Sequence, residues 1–335
     1  MLVDGLEVPF LDGDTVLVAM LRRGDHPTAG GCLCLAGDCP HCLARVDGVA
    51  YVRTCQVRAR AGLRVERHSS APGLPPLESR ADRGPSTARH RHCDVVVIGQ
   101  GPAGRQAADE ARQAGLVVVT LEASLGQEAI GVYPGPLVVA RTPEGMLSLW
   151  PRVEVVVATG AAEIHPVTIG SQLRGLMTAR ATHGLAAAGI DLGRVAAVGA
   201  RPDGVASFPT TGRLRRFEPS ADDPSRVGAV VTVDARGVEH RSVCDAVSID
   251  LGLSPRDSLV RMGRGMPVRG VGDVLHAPPV PDCPDAGVLC PCAGVRVADV
   301  VSVCARGFRE LELVKRATLA GTGPCQGALC VPYLR

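Results

Sequence analysis

The sequence predicts a mixed α/β chain of several compact units in a row, and three observations carry that expectation. Its 335 residues exceed the size at which one hydrophobic core is usually built. Cysteines concentrate at the two ends of the chain. Between them, "DVVVIGQGPAG" from Asp94 reads as a buried apolar strand, a glycine-rich turn and the start of a helix, the opening of a parallel βαβ unit.

The elements follow in order. Residues 1–68 alternate short apolar runs with turns, and "DGDTVLVAMLRRG" reads as an amphipathic helix capped by Asp14 and ended by Gly24. Residues 69–92, rich in Pro, Ser and Arg and without hydrophobic periodicity, read as a linker. Residues 93–282 form a dinucleotide-binding, Rossmann-type domain, with a helix through Ala114 and the strand "LVVVTLE" after the glycine turn. A Pro-rich stretch from His276 to Gly287 leads into residues 283–335, a small unit with two helices and the last cysteines.

Composition narrows the function. With 2% aromatic residues there are few platforms for stacking bases, and the net charge of +2 comes from arginines spread along the chain, Lys315 being the only lysine. The N-terminus carries Asp4, Glu7, Asp12 and Asp14 instead of a basic, then apolar, leader, and every apolar run is cut by charge, Gly or Pro. A cytoplasmic location is therefore expected, where thirteen cysteines point to metal ligation or redox chemistry in preference to structural disulfides.

Cys34, Cys39, Cys42 and Cys55 fall in C-x4-C-x2-C-x12-C, the plant-type ferredoxin spacing for a [2Fe–2S] cluster. Three thiolates point inward from one loop, where Ala36 and Gly37 let the backbone approach and donate N–H bonds, and the fourth returns from a distant strand. Zinc and inert packing are the competing readings. Cys32 is spare, and His41 is a conceivable but disfavoured Rieske-like ligand.

Gly99, Gly101 and Gly104 make G-x-G-x-x-G between strand and helix, with Pro102 and Ala103 inside the turn and Glu122 ending the next strand. Gly99 makes the tight turn, Gly101 admits a pyrophosphate, Gly104 lets helix and strand pack, and Glu122 can accept from a ribose hydroxyl. "VVVATGAAEIHP", with Thr159 and Gly160, resembles the ATG turn of two-dinucleotide-domain flavoproteins, and "GMPVRGVGDV", with Gly272 and Asp273, resembles their late GD motif. Together they favour FAD over NAD at the first fingerprint. The span from Glu122 to the ATG turn is short for a flavin domain, and a second motif at Gly199 and Gly204 lacks a long helix after it. No C-x-x-C lies near either motif, Cys93 and Cys244 read as packing residues, and His165 and His183 as ordinary surface or turn histidines.

Cys290, Cys292, Cys325 and Cys330 form C-x-C-x32-C-x4-C, with two helices between the pairs and Gly321, Gly323 and Gly327 allowing a tight wrap. Zinc competes more strongly here. Cys304 reads as core.

These motifs, in this order, resemble the iron–sulfur/flavin subunit (alpha or A type) of bacterial heteromeric amine and amino-acid dehydrogenases, a group that includes opine oxidase, hydrogen cyanide synthase, heteromeric proline dehydrogenase and sarcosine oxidase. The resemblance implies a β-grasp ferredoxin domain, a shortened Rossmann-like FAD/NAD(P) domain and a helical bacterioferritin-associated-ferredoxin-like domain with a second [2Fe–2S] cluster. It further implies an electron-transfer subunit that works with a flavin-dependent amine or amino-acid oxidase-type partner, without nucleic acid or a membrane span. No catalytic residue is assigned. A self-contained NAD(P)H-dependent ferredoxin-type reductase and a non-enzymatic iron–sulfur sensor or scaffold are the alternatives.

Overall fold

The computed structural model describes residues 1–68, 88–276 and 281–334. These residues sort into two compact units, one gathering 1–68, 163–252 and 281–334 and the other 88–162 and 253–276. The middle domain expected at 93–282 is thus divided: its centre belongs with the two cysteine-rich ends.

The first unit begins with a five-stranded sheet in the order Leu6–Glu7, Leu2–Val3, Arg64–Arg67, Leu43–Val46, Val49–Arg53. Leu2–Val3 runs parallel to Arg64–Arg67 and the other pairings in the sheet are antiparallel, so the first and last strands of residues 1–68 meet mid-sheet in a β-grasp arrangement. The helix Val16–Arg22 is buried along Val16–Met20. Val16, Ala19 and Met20 pack on the sheet with Val3, Ala44, Leu63 and Val65. Leu17 and Val18 face the other way, into a core with Cys42, Cys55, Met177, Ala181 and Leu185. A helix apolar all round is what such sandwiching requires. Its N-cap is Thr15, whose hydroxyl accepts from Val18 N–H at 3.3 Å, and not Asp14. Asp14 instead pairs with Arg22 at 3.1 Å and accepts from Leu11 N–H at 3.0 Å, because its side chain reaches back along the loop.

Within the same unit, residues 163–252 form a four-stranded parallel sheet, Leu176–Thr178, Ala246–Ile249, Val195–Val198, Ser207–Pro209, followed on one side by the helix Ala179–Ala187. A three-stranded antiparallel meander, Arg213–Pro219, Val227–Val233 and Glu239–Val243, is inserted between its strands. Leu33 bridges Met177 as an added edge of the parallel sheet, tying the cysteine loop to this layer. The C-terminal piece has the hairpin Val288–Cys290 with Val295–Arg296 and the helices Val297–Ala305 and Leu311–Thr318. Cys304 is in the last turn of its helix and half-buried, so it is not the core residue expected.

The second unit is a six-stranded sheet. Its parallel part runs Val118–Leu121, Ala88–Ile98, Gly145–Val157, Val268–Gly270, and Leu137–Thr142 and Glu128–Tyr133 add an antiparallel edge. Val95 and Val97 face the helix Pro102–Gln113 while Val96 and Ile98 face the other core, which explains the unbroken apolar run. The strand starts at Ala88, not Asp94: residues 88–92, assigned to the linker, pair with Met146–Trp150. Their side chains are exposed up to His92, so no hydrophobic period marks them. Residues 69–87 of that linker, and 277–280 of the second Pro-rich stretch, lie outside the described residues. The short span after Glu122 is filled by the antiparallel edge, giving the shortened Rossmann-like domain that was expected.

Candidate functional site

The eight predicted ligand cysteines come together as two sets of four. In the first, each thiol lies within hydrogen-bonding reach of two others, in the cycle Cys34, Cys39, Cys42, Cys55. All four are buried. Ala36 N–H donates to Cys34 Sγ at 3.4 Å and Gln56 Nε2 to Cys55 Sγ at 3.4 Å. Thr54, fully buried, donates its hydroxyl to Cys42 C=O at 2.7 Å and locks the fourth thiol's turn to the loop. Hydrogen bonds from Cys39 and Cys55 hold the Cys34 and Cys42 thiols well below the ordinary value, and the donors are raised in turn.

In the second set, Cys290 meets Cys292 and Cys330, and Cys292 meets Cys325. Hydrogen bonds from Cys292 and Cys330 lower Cys290 to about 2, with the Gly321 and Ala293 N–H groups adding to the effect. The Cys292 hydrogen bond lowers Cys325 to about 6 against burial, helped by the Leu329 and Gly327 N–H groups. A Cβ at Gly323 would lie 2.3 Å from Cys292 Cβ, so only glycine lets the second loop close on the first. Four thiols gathered in each set suit a two-iron cluster, in which each iron takes two cysteines.

The two sets adjoin. Cys34 and Cys39 share one apolar cluster with Cys325 and Leu329, with Ala36, Cys292 and Ala328 packed against it. Arg53 Nη2 donates to Pro324 C=O at 3.0 Å, fastening one thiol loop to the other.

His165 corrects the expectation of a surface or turn histidine. It is buried, and neither ring nitrogen has a conventional hydrogen-bond partner. Burial pulls its pKa down, but the neighbouring Cys32 and Cys34 sulfurs outweigh that and raise it to about 10. Tyr333 Oη donates to its carbonyl at 2.6 Å. Cys32, the spare thiol, is buried beside it, and burial raises its pKa. His41 faces His165 with ring centroids 6.2 Å apart and packs against Gly31, outside the thiol cycle. Cys93 and Cys244 are core residues as expected, and His183 is exposed.

In the second unit the glycine turn has the expected shape. A Cβ on Gly99 would meet Ala158 O at 2.4 Å and one on Gly104 would meet Gly99 O at 2.0 Å, so both are required by backbone contact. At Gly101 a Cβ would meet nothing within 4 Å: the helix N-terminus there is open, uncapped by any side chain, with Pro102 and Ala103 in its first turn. Such an end attracts a pyrophosphate. Glu122 accepts from Gln100 N–H at 2.7 Å and from Ser124 N–H at 3.1 Å. Burial alone would raise its carboxyl; these hydrogen bonds hold it below the ordinary value. Gly272 abuts the turn, its Cβ position 2.8 Å from Ala103 Cβ, and brings Asp273 to the same helix end. Thr159 donates its hydroxyl to Arg256 C=O at 2.7 Å, and Arg256 Nη1 donates to Thr159 C=O at 3.1 Å, so Thr159 and Gly160 form a pinned turn after the strand. The second glycine motif lacks its helix: Gly199 packs on the Asp250 carbonyl as Gly99 does on that of Ala158, and Gly204 is open, but no helix separates Gly199 from the strand Ser207–Pro209.

Residues 1–70 match the family described as a 2Fe-2S iron-sulfur cluster binding domain. The fold is similar to that of L-proline dehydrogenase from P. horikoshii, with a TM-score of 0.73 and 17% identity over 99% of this chain and 90% of that one. Weaker overlaps include thioredoxin reductases of T. acidophilum (TM-score 0.43, 17% identity, 56% of this chain and 91% of that one) and Lactococcus lactis (0.39, 14%, 54% and 90%). No curated protein matches the chain. No described helix is long and apolar enough to cross a membrane.

Proposed function

We propose that the chain is the electron-transferring subunit of a multisubunit, FAD-dependent amine or amino-acid dehydrogenase. The observation that carries this reading is the shared apolar wall of the two thiol sets. Cys34, Cys39, Cys42 and Cys55 would hold one [2Fe–2S] cluster and Cys290, Cys292, Cys325 and Cys330 a second, each supplying a one-electron carrier when bound. The protein's part is to bury the thiols, donate N–H groups to sulfur, exclude water with Leu329, Ala36 and Ala328, and fix the spacing through Arg53.

In the second unit, Gly101, Pro102 and Ala103 would receive the pyrophosphate of FAD, or of another adenine nucleotide such as NAD or ATP. Glu122 would orient the ribose, and Asp273 would lie at the same helix end. The fold shared with L-proline dehydrogenase favours amino-acid or amine oxidation as the source of electrons. A flavin-containing partner subunit in the cytoplasm is the proposed donor. The missing helix after Gly199 speaks against a self-contained NAD(P)H reductase, since the turn offers no helix N-terminus to a second pyrophosphate.

Anaerobically purified protein is expected to carry about four iron and four acid-labile sulfide per chain. Cys42→Ser should remove one reduced-state EPR signal and Cys325→Ser the other, and full reduction should broaden both through spin interaction across the shared wall. Stoichiometric zinc without visible charge-transfer bands overturns the cluster assignment. Isolated protein should not turn over amines, amino acids or NAD(P)H until a flavin subunit is added; turnover of an amine by the chain alone overturns the subunit reading.

A further inference from the structure

The two thiol sets differ in what covers them. No residue from Gly31 to Val46, the stretch that carries three thiols of the first set, is exposed. Cys55, the fourth, is followed by Gln56, whose Nε2 donates to Leu35 C=O at 3.2 Å as well as to Cys55 Sγ. A Cβ on Gly37 would meet Gln56 Cγ at 3.2 Å, so this side chain lies across the loop as a cover. Leu329 and Ala328 pack on another side.

The second set has an open edge. Seven of the eight ligand thiols are buried, and Cys292 alone is half-buried. Its chain neighbours Ala293 and Gly294 are exposed. So are Thr322 and Pro324, on either side of the Gly323 that packs on Cys292 Cβ. These four residues carry no charge and no long side chain. A partner can therefore come close to the Cys292 sulfur without stripping water from an ion or displacing a bulky group. Closeness decides the rate, because electron transfer falls off exponentially with the distance between carriers.

We propose that the second cluster is the station from which electrons leave the chain, through the Cys292 edge to a one-electron acceptor protein, and that the first cluster reaches that acceptor only through the second. The inference rests on the cluster assignment above. One electron moves in the step: a ferrous iron of the reduced cluster becomes ferric and the acceptor is reduced by one electron, with no bond made or broken. The apolar wall shared by Cys34, Cys39 and Cys325 is the inner leg of the route, and Cys292 is the outer one. A rim of four short, neutral residues suits the small, transient contacts through which redox proteins meet.

The test follows anaerobic oxidation of the dithionite-reduced full chain by ferric cytochrome c, a one-electron oxidant too bulky to enter the fold, with freeze-quenched EPR to resolve the two clusters. Ala293→Trp sets a large ring beside Cys292, and oxidation of both clusters should slow by about fivefold or more, while Ala293→Ser keeps the wild-type rate. Cys42→Ser, with the second cluster alone, should react as fast as the wild type does in its first phase. Folded Cys325→Ser, with the first cluster alone, should be slower by about tenfold or more. Circular dichroism reports folding, and if Cys325→Ser unfolds, Ala293→Trp decides. Iron and sulfide analysis separates this inference from the assignment beneath it: a wild-type chain without two clusters overturns both. With both clusters present, a smaller loss in Ala293→Trp, or a lone first cluster in folded Cys325→Ser oxidised faster than expected, overturns the inference alone.

Discussion

At Gly101 the space where a side chain would go is empty, while at Gly99 and Gly104 it is filled by backbone. One motif therefore does two kinds of work. Gly101→Val should fold normally and lose its adenine nucleotide, measured as the nucleotide released on denaturation; a full complement in that variant would refute the site. Gly104→Ala should instead lower the melting temperature, because its Cβ meets the Gly99 carbonyl. His165 is a second residue whose environment makes a prediction. His165→Leu removes a buried imidazole within hydrogen-bonding reach of Cys34, so the midpoint potential of the first cluster should fall while that of the second stays put, as read by redox titration followed by EPR. Nothing in "AAEIHPV" marks this histidine, since its partners Cys32 and Cys34 are more than a hundred residues away. The cysteine ligands were legible because each loop carries its own spacing.

Among the elements, the helix Val16–Arg22 is held by a cap one residue later than the sequence suggested. Thr15→Ala should cost about 1 kcal/mol, measured by denaturant unfolding. Asp14 contributes differently. Its carboxyl is disfavoured by burial but held below the ordinary 3.8 by Arg22 and the Leu11 amide. A lowered folded-state pKa gives stability that is present above 3.8 and lost as the pH falls through the lowered value. Asp14→Asn should therefore be less stable near neutrality and lose that part of the acid dependence. The strand Ala88–Ile98 shows the opposite limit of pattern reading. Its second half, buried on both faces, is plain in the sequence, but "ARHR" is exposed and is strand only because Met146–Leu149 pairs with it.

At the scale of the whole molecule, the order of motifs was readable but their grouping was not. Each cysteine set is written in local spacing, and the first glycine turn in a strand–turn–helix pattern. That the two cysteine sets adjoin depends on Cys34 and Cys39 sharing one cluster with Cys325 and Leu329, residues far apart in the sequence, and no periodicity encodes such a contact.

The wall between the thiol sets also has a consequence for how the protein is made. Leu329, Ala328 and Cys325, which cover one side of Cys34 and Cys39, lie about 270 residues or more after Cys55 and are synthesised that much later. Until they arrive, the nascent N-terminal domain presents that side of its sulfurs to water and dissolved oxygen. Iron loaded early would stand unshielded until those residues are made, so the geometry favours a cell that delivers iron and sulfide only once the stretch around Cys325 has been synthesised.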